Sequence, residues 1–267
     1  MMDILVPVIT MGGLAFIFAL GLIYASKKFH VYVDPRIEKI AEFLPQANCG
    51  ACGYAGCRAL AEAVVNGKAA ANSCPVGGEE TAKRIAEILG VQTEGIIKKI
   101  ARVLCRGTWK AARSRGSYQG LLSCKGSNLI GGNKQCSYGC LGLGDCVLAC
   151  PFDALFMGED ALPHVRKDLC TACGKCVEAC PRNIMELHPT STEILVFCRS
   201  LDRGPTARKV CDNACIACGI CSRACPEGII IENYLAKIVD DKKITPEKIP
   251  EIEKCPTGAI GRIPKND

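Results

Sequence analysis

Twenty-one of the 267 residues are cysteine, and their spacing is that of metal-ligand runs. Cys170, Cys173, Cys176 and Cys180, followed by Pro181, form a C-x2-C-x2-C-x3-C-P run. In such a run three thiolates hold one iron–sulfur cluster, and the fourth, turned away by the proline, ligates a neighbouring one. A reciprocal run is therefore required. Cys136, Cys140, Cys146 and Cys150, followed by Pro151, supply it with altered spacing. Zinc is the competing chemistry, but it favours paired C-x2-C knuckles around one tetrahedral ion. Two interlocking runs that each end in Cys-Pro fit a pair of 4Fe–4S clusters better.

Upstream, NCGACGYAGC carries Cys49, Cys52 and Cys57, and Cys74-Pro75 closes a separate four-cysteine segment. Downstream, CSYGCLGLGDCVLACP from Cys136 overlays CDNACIACGICSRACP from Cys211 without a gap, at an offset of 75 residues. Cys150 then corresponds to Cys225, and Cys180 to Cys255. LLSCK around Cys124 aligns with LVFCR around Cys198 with one residue of slippage. The two copies differ at their ligands. Cys218 stands where the first copy has Leu143, so the first copy is expected to recruit Cys136. Thr245, Lys248 and Glu251 replace Cys170, Cys173 and Cys176, which removes one cluster motif from the second copy.

Four ligand sets follow: Cys49/Cys52/Cys57/Cys74, Cys136/Cys140/Cys146/Cys180, Cys150/Cys170/Cys173/Cys176 and Cys215/Cys218/Cys221/Cys255. Cys105, Cys124, Cys198, Cys211 and Cys225 are left over. A fifth metal site and a set of buried thiols are both open for them.

The elements that position these residues are short. With 5% aromatic residues and a single tryptophan, Trp109, no large conventional core can form. The clusters must supply much of the cohesion, and the metal-free chain is expected to be largely unfolded. The formal charge of +6 counts every cysteine as neutral. Each four-thiolate cluster adds about −2, so four of them bring the total to about −2 and no nucleic-acid partner is implied.

Ile4 to Ala25 is free of charge and long enough to cross ~30 Å of hydrocarbon. Lys27 and Lys28 follow it and no basic residue precedes it, which predicts a single uncleaved span with the remainder on the cytoplasmic side. Gly12, Ala15, Ala19, Gly21 and Ala25 would serve close helix packing in the membrane, or ordinary tolerance in a lone anchor. Asp34-Pro35 starts a helix running to about Leu44, and a second runs from Arg58 to about Val65, closed by Asn66-Gly67. A third, amphipathic, covers ETAKRIAEILG, and Ile96 to Cys105 reads as a first strand. The fold class is α+β: an anchor at 1–26, a helical four-cysteine unit at 27–92, a two-cluster ferredoxin-like unit at 93–188, and a second copy at 189–267 with one motif eroded. His30, His164 and His188 lie outside these constellations as surface or packing residues. No nucleotide-binding glycine motif and no acid–base or nucleophile constellation occurs.

An N-terminal span, then C-x2-C-x4-C-x16-C, then CSYGCLGLGDCVLACPFDAL, resembles the B subunit of the Rnf complex, the ion-translocating ferredoxin:NAD oxidoreductase. The resemblance covers the whole chain. It implies a subunit of the cytoplasmic membrane that takes electrons from reduced ferredoxin and passes them to other Rnf subunits, membrane and peripheral. It also implies that NAD binds to a different subunit. Two other classes are an electron-transfer subunit of a hydrogenase or formate dehydrogenase type enzyme, and a zinc-stabilised binding protein.

Overall fold

The computed structural model describes residues 2–29, 34–92, 95 and 97–264. His30, Ile96 and the outermost residues of the expected anchor and C-terminal unit lie outside them.

Helix α1 (Met2–Lys28) ends on Lys27 and Lys28. Its Val8–Lys28 stretch has a mean hydropathy of 2.2, and none of it is buried against the rest of the chain. Phe16, Phe18, Leu22 and Tyr24 all stand exposed, so whatever covers this helix is not this chain. Asp34 caps α2 (Pro35–Phe43) by accepting from the Arg36 N–H, as the Asp-Pro pair predicts. α3 (Cys57–Val65) starts on a cysteine, and α4 (Gly78–Leu89) ends at Gly90 in the left-handed region at φ 66°. Ile37 and Ile40 of α2, Leu60 and Val64 of α3 and Ile85 of α4 close one small core. The apolar stripe on α4 therefore serves packing.

Among the described residues, the remainder is built of eight short strands in four antiparallel pairs. β1 (Lys99–Val103), β2 (Leu155–Met157), β3 (Pro163–Val165) and β4 (Met185–Pro189) pair first with last, Val103 opposite Met185, and middle with middle. β5 (Ile194–Val196), β6 (Ile229–Glu232), β7 (Leu235–Ile238) and β8 (Ile260–Arg262) repeat the scheme, Val196 opposite Ile260. Short helices carry the cysteine runs: α5 (Cys124–Leu129), α6 (Asp145–Leu148) and α7 (Lys175–Ala179) in the first set. α8 (Gly204–Val210), α9 (Ile220–Ala224) and α10 (Ile249–Ile252) belong to the second. Such ladders are too short to be stable alone, so what they pack against decides whether they form.

The two sets solve that problem differently. In the second, Ile249 and Ile252 are buried with Cys225, Ile229 and Leu235 in one aliphatic core. They lie in the segment where the repeat would place Cys170, Cys173 and Cys176. Aliphatic side chains thus fill this segment as a plug where the first set has cysteines. Ile252 is 0% exposed, so Ile252→Ala should destabilise this half by about 2–5 kcal/mol. Denaturant unfolding should show a lower midpoint, and an unchanged midpoint would mean that the plug carries no stability.

Candidate iron–sulfur centres

The cysteines gather at cavities. One is lined by Cys150, Cys170, Cys173 and Cys176, and another by Cys215, Cys218, Cys221 and Cys255. Both groupings coincide with sets expected from the spacing. Cys255 therefore lies with three thiols more than thirty residues upstream, across the fold. In the four-cysteine N-terminal unit, Cys57 and Cys74 are buried and Cys52 packs against the same core. Asn48 organises the loop, its Oδ1 accepting from the Cys57 N–H at 2.9 Å. Burial raises the Cys74 thiol, and the Cys52 and Cys57 thiols beside it push the same way.

The third expected set needs correction. Its cavity is lined by Cys140, Cys146 and Cys180 together with Cys124, not Cys136. Asp145 explains the substitution. Its carboxylate accepts from the backbone N–H of Cys124 at 2.8 Å, from that of Lys125 at 3.1 Å and from the Ser123 hydroxyl at 3.1 Å. The start of α5 is thus clamped to the start of α6, and the Cys124 thiol arrives where Leu143 leaves the trio one short. Asp145→Ala should make this one centre labile and cost about 1 kcal/mol of capping, read as faster loss of iron to a chelator. A loss rate equal to wild type would show that Cys124 holds its place without the clamp.

The upstream alignment fails for the same reason. Cys105 lies two residues beyond β1 and Cys198 two residues beyond β5, each followed by arginine. The structural counterpart of Cys198 is therefore Cys105, and Cys124 sits in an insertion present only in the first half. The matching pairs Cys105-Arg106 and Cys198-Arg199 were the signal that could have shown it. Cys225 joins no cysteine group: it is fully buried, and its Sγ donates to the Lys243 carbonyl at 3.4 Å. His164 pairs with Asp160 at 3.1 Å and His188 with Glu186 at 3.0 Å, both away from the thiols.

The donor chemistry fits clusters rather than single ions. Among the described residues no group of Cys, His, Asp or Glu converges tightly enough for one metal ion. Four thiolates on one zinc would crowd around it at ~2.3 Å. Here the cysteines instead gather around cavities, one at Cys150/Cys170/Cys173/Cys176 and one at Cys124/Cys140/Cys146/Cys180. Backbone N–H groups aim at the sulfurs: Ala101 at Cys170 (3.4 Å), Ile184 at Cys180 (3.3 Å) and Gly77 at Cys74 (3.3 Å). Such donors stabilise thiolate charge on a bound cluster and tune its potential.

Burial pushes the Cys140, Cys146, Cys176 and Cys198 thiols up to about 12, and Cys211 and Cys221 up to about 11. Without metal these groups are neutral at pH 7. Loading must expel their protons, and assembly should therefore be favoured by rising pH.

Known proteins share these cysteine segments in sequence. The family described as a putative Fe-S cluster matches residues 44–76, which span Cys49, Cys52, Cys57 and Cys74. The 4Fe-4S binding domain family matches residues 163–186, which include Cys170 to Cys180. The chain is 48% identical over 259 residues to the B subunit of the Na(+)-translocating ferredoxin:NAD(+) oxidoreductase complex of Acetobacterium woodii, covering 96% of this chain and 77% of that one. To the B subunit of the proton-translocating ferredoxin:NAD(+) oxidoreductase complex of Clostridium ljungdahlii it is 38% identical, covering 98% and 94%. The B subunit of the ion-translocating oxidoreductase complex of Methanosarcina acetivorans is 42% identical, with 87% and 89% covered. At such identity over nearly the full length, this chain belongs to the B-subunit family of the ion-translocating ferredoxin:NAD oxidoreductase, or Rnf, complexes.

Proposed function

We propose that this chain is the multi-cluster electron relay of such a complex, accepting electrons from reduced ferredoxin on the cytoplasmic side and handing them to other subunits. The observation that carries this reading is the series of cysteine-lined cavities, joined by N–H···S contacts and free of any acid–base or nucleotide site among the described residues. Bound clusters supply one-electron redox chemistry at nearly fixed geometry. The chain's own residues hold them, exclude water and set their electrostatics.

Sixteen residues are assigned as ligands of four 4Fe–4S clusters: Cys49/Cys52/Cys57/Cys74, Cys150/Cys170/Cys173/Cys176, Cys124/Cys140/Cys146/Cys180 and Cys215/Cys218/Cys221/Cys255. The twice-repeated strand pairing supports a duplicated ferredoxin-like unit, the second lacking one cluster. Cys52 and Cys170 line one cleft, which supports close approach of the N-terminal centre to the first ferredoxin-like unit. Lys27 and Lys28 at the end of α1 support the cytoplasmic placement of everything after the span. The family resemblance assigns NAD to another subunit, and no nucleotide-binding glycine motif occurs in the sequence.

Anaerobically purified protein mixed with reduced ferredoxin should bleach its visible iron–sulfur absorbance within the mixing time. NADH alone should not bleach it. Rapid reduction by NADH, or none by ferredoxin, would overturn this assignment of donor.

A further inference from the structure

We infer that a fifth iron–sulfur cluster binds between the two ferredoxin-like units, held by Cys105 and Cys136 from the first and Cys198 and Cys211 from the second. These four thiols line one cavity. They come from four separate stretches of chain, which is why no spacing motif announces them.

The site has a pseudo-two-fold plan. Cys105 Sγ accepts from the N–H of Gly107 at 3.3 Å and from that of Cys140 at 3.5 Å. Cys198 Sγ accepts from the N–H of Ser200 at 3.4 Å and from that of Cys215 at 3.3 Å. Ser200 follows Cys198 as Gly107 follows Cys105, and Cys215 is the repeat counterpart of Cys140. Each unit thus presents one cysteine with the same pair of backbone donors.

Two glycines of the cavity wall lie directly against the sulfurs. A Cβ on Gly107 would lie 3.3 Å from Cys105 Sγ and 3.7 Å from Cys211 Sγ. One on Gly139 would lie 3.3 Å from Cys136 Sγ and 3.8 Å from Cys105 Sγ. The walls are locked across the unit boundary, with the Asp212 N–H donating to Ala111 O and the Arg113 N–H to Val210 O, both at 2.8 Å.

Charge supplies an independent observation. Lys134 lines this cavity and is 1% exposed. Its Nζ donates to the Gly107 carbonyl at 2.6 Å and lies 5.4 Å from the Trp109 ring centroid, and neither partner is anionic. Burying an ammonium without a counter-charge is costly. A cluster with four thiolates brings about −2 to that spot. The site also connects its neighbours: Cys140 and Cys215, whose amides donate into it, are ligands of the flanking centres. Without it, the two units share no metal-bearing contact among the described residues.

The inference rests on the iron–sulfur reading of the other cavities and adds one centre to it. Iron and acid-labile sulfide of anaerobically reconstituted full-length protein distinguish the two. Five clusters give about 20 irons per chain, four give about 16, and an iron-free chain overturns both readings. The variants test the ligand set. Cys136→Ala and Cys198→Ala should each lose about four irons, and the double variant should again lose about four, because both remove the same centre. If Cys136 instead serves the Cys140 centre, the double variant loses about eight, or Cys198→Ala alone loses none. Either result sinks the site. Should a variant fold poorly, the wild-type count still decides: about 16 irons with full sulfide would refute the fifth cluster.

Discussion

Cys255→Ala is expected to remove one four-iron centre and leave the others in place. Cys255 stands in a segment whose other ligand positions have become Thr245, Lys248 and Glu251, so locally it looks like a remnant. Yet it lines one cavity with Cys215, Cys218 and Cys221. Burial alone would raise its thiol, but backbone donors at Ile260, Thr257 and Ala259 and the Thr257 hydroxyl more than offset it, and the thiol lies below its usual value. A pocket of donors around one sulfur suits a bound thiolate. Loss of this ligand should also free the turn at Cys255-Pro256, since the iron–thiolate bond ties it to the domain. Cys225→Ala is the matched control. Cys225 is buried among isoleucines and gives up a weak S–H···O contact to Lys243, a long contact from Lys248 Nζ at 3.9 Å and a small volume, about 1 kcal/mol. The two variants should therefore differ by about four irons per chain and by one component of the low-temperature EPR spectrum. Equal iron contents would show that the aliphatic plug, not the cross-chain thiolate, organises this half.

Deleting residues 1–26 is expected to shift the protein from the membrane fraction to the soluble one with its iron intact. The exposed residues of α1, from Val8 to Tyr24, are almost all apolar, and none of the Val8–Lys28 stretch is buried against the rest of the chain. Their transfer out of water is the main drive for membrane association. All cysteines lie beyond the span. Localisation and metal loading should separate cleanly, measured as iron per chain in the soluble fraction under anaerobic conditions. A truncated chain that cannot load iron would mean that α1 supports the cluster units directly. In the intact protein, protease added outside sealed cells should leave the cluster units uncut, and their digestion would reverse the orientation read from Lys27 and Lys28.

Local rules decided much of this protein. The Asp34 cap, the Gly90 helix end and the charge-free α1 were legible because each depends on residues within one or two turns of chain. So were two cysteine groupings that share a cavity, Cys150/Cys170/Cys173/Cys176 and Cys215/Cys218/Cys221/Cys255. Within those runs the spacing dictates which sulfurs can face one centre, and the Cys-Pro turn dictates which one leaves. The erosion of the last motif was equally plain, since three missing thiols cannot be hidden.

The sorting of Cys105, Cys124, Cys136, Cys198 and Cys211 was a different matter. Spacing assigned Cys136 to its nearest run, because proximity along the chain is the only distance a sequence offers. The tertiary structure places Cys124 there instead, since Asp145 clamps α5 onto α6. Cys136 is then free to meet thiols from the strand ends at Cys105 and Cys198. A group of thiols drawn from four separate stretches is fixed by how two units dock, through contacts such as the Asn213 side-chain amide on the Arg106 carbonyl at 2.8 Å. Docking depends on surfaces that exist only after each unit has folded. Spacing along the chain therefore determined the thiols, and packing determined their company.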